Sequence, residues 1–120
     1  MSRILLVDDD HSFVETMGGL FAQHGVRIEV AFSCDEALAL LSKEAIDIMI
    51  TDIVLPGKDG LVLISTVRKL YPAIRIIAIS GGGRIDKTTY LRLAKDLRAD
   101  AVLEKPFGWD DLKHLLDSFS

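Results

Sequence analysis

Asp8-Asp9-Asp10, Asp52, Ser80 and Lys105-Pro106 each come just after an apolar run. Carboxylates hold hard cations or attack electrophiles, a hydroxyl donates to an anion, and an amine carries the positive charge that an anion needs. Taken singly, each group is weak evidence, because charged residues routinely end strands. An acid cluster, a further acid, a hydroxyl and an amine delivered to one edge of a sheet is the pattern of a reactive site.

The acids pose an electrostatic problem. If Asp8 and Asp9 arrive near Asp52, several carboxylates share one crevice, where mutual repulsion disfavours ionising all of them unless a cation is present. Magnesium prefers oxygen ligands and keeps several waters, so two or three carboxylates suit it, and manganese is a workable substitute. The competing structural role for Asp8 to Asp10 is a helix N-terminus, which favours negative charge; Asp10 fits that role, alone or with His11 and Ser12. Asp52 opens a polar loop, Asp52 to Gly60, containing Pro56 and two glycines. There it is expected to be exposed enough to act as a nucleophile, the alternative being a carboxylate that caps its own turn. Gly81-Gly82-Gly83 after Ser80 lets backbone amides approach an anion, or serves as a flexible linker. No Gly-Lys-Ser/Thr ends that run, which excludes a Walker loop. Lys105 pairs with an anion or points to water, and Pro106 fixes the turn after it, a place where cis bonds occur.

The elements that must position these residues are legible as short runs. Ile4 to Val7, Arg27 to Ala31, Ile46 to Ile50, Ile74 to Ile79 and Ala101 to Leu103 are apolar, several of them nearly uninterrupted, as strands covered on both faces are. Between them lie stripes with helical spacing: Phe13, Met17, Leu20 and Phe21; Leu61, Ile64, Val67 and Leu70; Tyr90, Leu93, Ala94 and Leu97; Leu112, Leu115, Leu116 and Phe119. Ser12 with Glu15 and Ser33 with Glu36 have capping-box spacing, Asp59 is placed to cap the third helix, and Gly25 and Gly60 fall where turns are needed. Strict alternation of strand and helix predicts an α/β fold, an open parallel sheet of five strands with helices on both faces. In such a sheet, sites collect outside the carboxyl ends of the strands, where all of the polar groups above fall.

Composition sets the outer bounds. A chain of 120 residues with 49% hydrophobic and 27% charged residues is expected to be one domain, 1–120. A net charge of −4 gives no basic stripe for a phosphate backbone, so direct nucleic-acid binding is not expected. The single cysteine, Cys34, makes neither a disulfide nor a metal pair and is expected to be a small, partly buried hydrophobe. The N-terminus is too short and acidic for a signal peptide and no apolar run reaches membrane-spanning length, so a soluble, cytoplasmic chain is expected. His11, His24 and His114 fall in separate predicted elements, which argues against a histidine-based metal site. Phe107 is expected to anchor packing; Trp109 is expected either to face a partner or to act as a half-buried wedge.

From Arg3 to the final helix the chain resembles the two-component response-regulator receiver family. The resemblance is carried by Ile4-Leu5-Leu6-Val7-Asp8-Asp9, the loop from Asp52 to Gly60 with its Pro56, Ser80 followed by a small residue, and Lys105-Pro106-Phe107. It implies a doubly wound, flavodoxin-like sheet of order 2-1-3-4-5 with five helices. It also implies Mg²⁺ bound by Asp9, Asp52 and the Val54 carbonyl, with Asp8 assisting through water. Asp52 would be the phosphoacceptor, Ser80 the switch hydroxyl and Lys105 the phosphoryl contact. The implied partners are a sensor histidine kinase or histidine phosphotransfer protein and a downstream protein read by contact, with a monomer or a phosphorylation-dependent dimer as the assembly. Such a domain is a signalling module that catalyses its own phosphorylation and dephosphorylation rather than an enzyme.

Three features depart from the family. Val102 stands where an aromatic switch residue is usual, three positions before the lysine; the stretch from Ser80 to Lys105, with Arg84-Ile85-Asp86-Lys87, is longer than usual; and Gly108 replaces a common capping Asp, with Asp110 and Asp111 as partial substitutes. Two other functions compete: a haloacid-dehalogenase-like phosphohydrolase with Asp8 as nucleophile, and a pseudo-receiver of the same fold that binds partners without being phosphorylated.

Overall fold

Alternate residues of a strand face opposite sides of its sheet, so a run that is apolar at every position must be covered twice. The first strand, β1 (Ile4–Val7), is buried throughout: Leu5 and Val7 join a core on one face, and Ile4 and Leu6 join a core on the other. In the computed structural model, which describes positions 3–53, 60–80, 92, 96 and 98–119, it pairs with β2 (Ile28–Ala31) and β3 (Ile48–Asp52). β4 (Arg75–Ser80) and β5 (Ala101–Glu104) complete a parallel sheet of order β2-β1-β3-β4-β5. This is the doubly wound α/β arrangement that the resemblance implies.

Helices α1 (His11–Gln23) and α4 (Trp109–Ser118) cover one face through Val14, Met17, Phe21 and Leu112. Helices α2 (Cys34–Leu41) and α3 (Gly60–Leu70) cover the other through Ala37, Leu41, Leu63, Ile64 and Val67. The helix predicted from Tyr90 to Leu97 lies mostly outside the described residues, of which Arg92 and Asp96 are helical. Cys34 is fully in the core rather than partly buried. Leu70, expected on the apolar stripe of α3, is 60% exposed, and Leu63 takes the buried place instead. Among the described residues, no helix is long and apolar enough to cross a membrane.

Local chemistry explains several boundaries. Asp10, not Ser12, caps α1: its carboxylate accepts from the Phe13 N–H at 3.1 Å. Consequently His11 opens α1 and His24 closes it, so these two histidines belong to opposite ends of one helix rather than to separate elements. Ser33 caps α2 as expected, accepting from the Glu36 N–H at 3.1 Å, and Asp111 substitutes at α4 by accepting from the Gly108 N–H at 3.0 Å. Gly25 makes its turn at φ 72°. Gly60 has a different task from the turn expected of it. It is the first residue of α3, its N–H donates to the Ile53 carbonyl at 2.7 Å, and a Cβ built on it would overlap the Asp52 carbonyl oxygen and lie 2.8 Å from Ile53 Cα. The absent side chain lets α3 seat directly on the end of β3.

At the opposite end of the sheet, the Arg68 guanidinium ties α3 to the start of β4 and the turn before β5. It donates to the carbonyls of Ile74 at 2.9 Å, Pro72 at 3.2 Å and Arg98 at 2.8 Å, and to the Asp100 carboxylate at 2.8 Å. Asp100 also accepts from the Ile76 N–H at 2.7 Å. Burial pushes the Asp100 carboxyl up, but the Ile76 amide, Arg68 and Arg75 together outweigh it and hold the group below its ordinary value.

These contacts have two measurable outcomes. Gly60→Ala lowers the free energy of unfolding by about 1–3 kcal/mol, the usual range for forced overpacking, as measured by urea denaturation. Asp100→Ala costs about 1.5–3 kcal/mol at neutral pH for the lost charged hydrogen bonds. Because the folded carboxyl titrates lower than the unfolded one, its stabilisation is present above the unfolded value and lost as pH falls through the folded value. The gap between wild type and Asp100→Ala therefore narrows below about pH 4; a gap independent of pH would contradict this assignment.

Candidate functional site

The carboxyl edge of the sheet is held by backbone bonds that continue the ladder past the last paired residues. Asp8 N–H donates to Ala31 at 3.1 Å, Ile53 N–H to Ile79 at 2.9 Å, and Lys105 N–H to Ser80 at 2.9 Å. Each strand end is thereby fixed to its neighbour before any side chain is considered. Asp52 and Ser80 do not lie beyond their strands, as the apolar runs suggest, but are the last residues of β3 and β4. The reason is register: β3 is paired from Ile48, opposite Ile4 and Arg75, and not from Ile46. Asp47 instead accepts from the Arg3 N–H at 2.7 Å through its carboxylate.

This register draws Asp52 inward. It is buried at 8% exposure, a correction to the exposed loop carboxylate expected from sequence, and it pairs across the ladder with Ile79, the residue before Ser80. Ser80 is buried as well, at 3%. Thr51, which sequence reasoning does not single out, is wholly buried, and its hydroxyl donates to the Asp52 carbonyl at 3.1 Å. A polar residue between an apolar run and Asp52 was the signal available for it.

Asp8 is fully buried while Asp9 is exposed, and each can offer a carboxylate oxygen, with one from Asp52, to a common point, all within 4.8 Å of one another. Asp8 uses its other capacity locally. Its Oδ1 accepts from the Asp10 N–H at 2.9 Å, and its Oδ2 accepts from Lys105 Nζ at 2.8 Å. The same ammonium lies 3.7 Å from Asp52 Oδ2. Lys105 is therefore neither a strand-end lysine pointing to water nor a remote charge; its side chain is 20% exposed and its head sits between two aspartates. The Lys105-Pro106 bond is cis.

Asp8, Asp9, Asp52, Ser80 and Lys105 lie at one edge of the sheet, and the structure brings the three acids and the lysine into contact range. Val54, Pro56, Asp59 and Gly81 to Lys87 lie outside the described residues. Val102 pairs with Ala78 and packs, partly buried, against the core shared with α2 and α3. Phe107 packs edge-on against Phe13 at 6.1 Å, and Trp109 proves a wedge, edge-on to Phe21 at 5.2 Å and stacked on His24 at 4.1 Å.

A buried aspartate on a central strand, two acids on its neighbour and a lysine bridging them form an oxygen-rich site suited to a hard cation and a transferable anion. Known proteins are similar to this chain over nearly all of its length. The chain is 32% identical over 108 residues to the transcriptional regulatory protein CpxR of Klebsiella pneumoniae, which covers 90% of this chain and 44% of that protein. It is 34% identical over 115 residues to a putative NtrX-like response regulator of Rickettsia felis, covering 94% of this chain and 24% of that protein. The chain thus spans less than half the length of either relative. The receiver domain protein of Methanospirillum hungatei, described as CheY-like, superposes with a TM-score of 0.87 at 27% identity, covering 98% of this chain and 92% of that one. The response regulator receiver domain family matches residues 4–117, and the chain belongs to that family.

Proposed function

We propose that the chain is a phosphoryl-accepting switch in which Asp52 takes a phosphoryl group from a phosphohistidine on a sensor histidine kinase or a histidine phosphotransfer protein. One observation carries the reading: Asp52 is buried at the carboxyl edge of the sheet with Asp8 and Asp9 on one side and the Lys105 ammonium 3.7 Å away. A carboxylate oxygen of Asp52 attacks phosphorus in line. The bond from phosphorus to the imidazole nitrogen breaks, and its electron pair leaves with the ring. The product is an acyl phosphate on Asp52. Lys105 neutralises charge on the phosphoryl oxygens, as preorganised cations do where charge gathers in a transition state, and the Ser80 hydroxyl donates to another of them. Water attack on phosphorus then breaks its bond to the Asp52 oxygen, releases inorganic phosphate, returns the free carboxylate and resets the switch.

The donor set fits a hard divalent ion. Among the described residues, three carboxylates that can converge within 4.8 Å outnumber the one lysine seated among them, and all three offer oxygen donors. Asp8, Asp9 and Asp52, with the Val54 carbonyl, would hold Mg²⁺, or Mn²⁺ in its place. When bound, the ion supplies positive charge to the phosphoryl oxygens and relieves repulsion among the acids. The added phosphoryl charge draws Ser80 and Lys105 toward it, biasing a surface that a downstream protein reads by contact, as monomer or phosphorylation-dependent dimer in the cytoplasm. The phosphohydrolase reading with Asp8 as nucleophile is disfavoured, because both Asp8 oxygens are engaged, one by Asp10 and one by Lys105.

Incubation with Mg²⁺ and acetyl phosphate labels Asp52, located by peptide mass spectrometry, and Asp52→Asn abolishes the label. Label on Asp8, or label that survives Asp52→Asn, would sink the reading; no label together with no Mg²⁺ binding would indicate an unphosphorylated binding module. Lys105→Met separates the two roles of the lysine. It slows labelling by about a hundredfold, yet binds Mg²⁺ at least as tightly as wild type in a calorimetric titration, since a cation competing for Asp8 is gone.

A further inference from the structure

Lys105 makes a third contact that the chemistry above does not use. Its ammonium lies 3.9 Å from the centroid of the Phe13 ring, on the first turn of α1. A lysine head is a compact charge on a flexible four-carbon stem, and here the side chain keeps 20% of its exposure, so nothing in the stem itself holds the charge over the site rather than in water. The ring face offers the negative part of its quadrupole to the ammonium.

The ring is placed by its backbone and by a neighbouring ring. The Asp10 carboxylate accepts from the Phe13 N–H at 3.1 Å, Asp8 Oδ1 accepts from the Asp10 N–H at 2.9 Å, and the Phe13 and Phe107 rings meet T-shaped at 6.1 Å and 83°. A closed circuit results. Asp8 reaches Phe13 through the helix cap on one side and through Lys105, at 2.8 Å, on the other.

We infer that Phe13 is a positioning residue for phosphoryl transfer, its aromatic face holding the Lys105 ammonium between Asp8 and Asp52. The inference rests on the receiver reading of Lys105, and it concerns the ring rather than the apolar volume. Leucine or methionine at 13 fills similar space and packs on Phe107 but presents no quadrupole; tyrosine keeps the face.

The test uses purified protein with Mg²⁺ and acetyl phosphate, following the rate at which Asp52 is labelled, beside the proton shifts of the Lys105 ε-methylene by NMR. Phe13→Leu and Phe13→Met slow labelling about threefold to tenfold, with urea midpoints near that of wild type, while Phe13→Tyr restores the rate to within about twofold. In wild type and Phe13→Tyr the Lys105 ε-protons are shifted upfield by the ring current; in both ring-free variants that shift is lost. Wild-type rates in Phe13→Leu and Phe13→Met, or an unchanged Lys105 shift in either, would overturn the inference, as would Phe13→Tyr slowed as much as the ring-free pair. No labelling of wild type at all condemns the receiver reading instead, and the NMR shifts then still report whether the ring holds the lysine.

Discussion

Burying the Asp8 and Asp52 carboxylates side by side, with Asp9 at the rim, is the constraint to which the rest of the molecule answers. Taking an ionised carboxylate out of water costs several kcal/mol even after relaxation, and two together cost more because they repel. A loose scaffold would let them drift apart into solvent. The parallel sheet prevents this: β1 and β3 are neighbours in fixed register, and the backbone bonds from Asp8 to Ala31 and from Ile53 to Ile79 continue that register to the last residue. Lys105, delivered from the far edge strand, and the Asp10 amide offset part of the cost. Among the described residues, acid still exceeds base there, an arrangement that favours further positive charge.

Much of this was legible in the sequence, for physical reasons that also mark where legibility stops. Continuous apolar runs reveal strands covered on both faces, and polar residues at their ends reveal the reactive edge. Burial at the strand tips was not legible. Asp52 reads as the start of a loop, because its neighbours Pro56, Gly57 and Gly60 are turn residues, but pairing to β1 and β4 decides where β3 ends. In the same way the run from Ile46 to Ile50 reads as one strand, yet pairing begins at Ile48, and the Asp47 carboxylate accepts from the Arg3 N–H. Helical spacing places Leu70 on the stripe of α3 but cannot tell that the helix ends beyond the cover of the sheet. Phe13 reads as one more core residue of an amphipathic helix; only the tertiary arrangement of α1 and the segment after β5 shows what its ring touches.

The two ends of the sheet are built on opposite electrostatic plans. At the amino end, charges are matched: Arg3 reaches Glu44 at 2.9 Å and Glu29 at 3.7 Å, while Arg68 and Arg75 share Asp100. Exposed pairs such as those of Arg3 add little individually, but the more buried Arg68 also satisfies three backbone carbonyls and so fixes the turns that launch β4 and β5. At the carboxyl end, among the described residues, the acids are in excess.

The circuit through Asp8, Asp10 and Phe13 has a consequence for how the chain tolerates changes of length. Six consecutive positions carry a carboxylate of the acidic cluster, fixed by the end of β1, then the cap of α1 and the ring beneath the lysine, and the last two depend on the phase of one helix. Each residue inserted or deleted between Asp10 and Phe13 rotates the rest of α1 by about 100°, which would carry the ring off the ammonium while leaving every residue type in place. The stretch from Asp10 to Phe13 is accordingly of fixed length: the spacing between cap and ring matters as much as the side chains themselves.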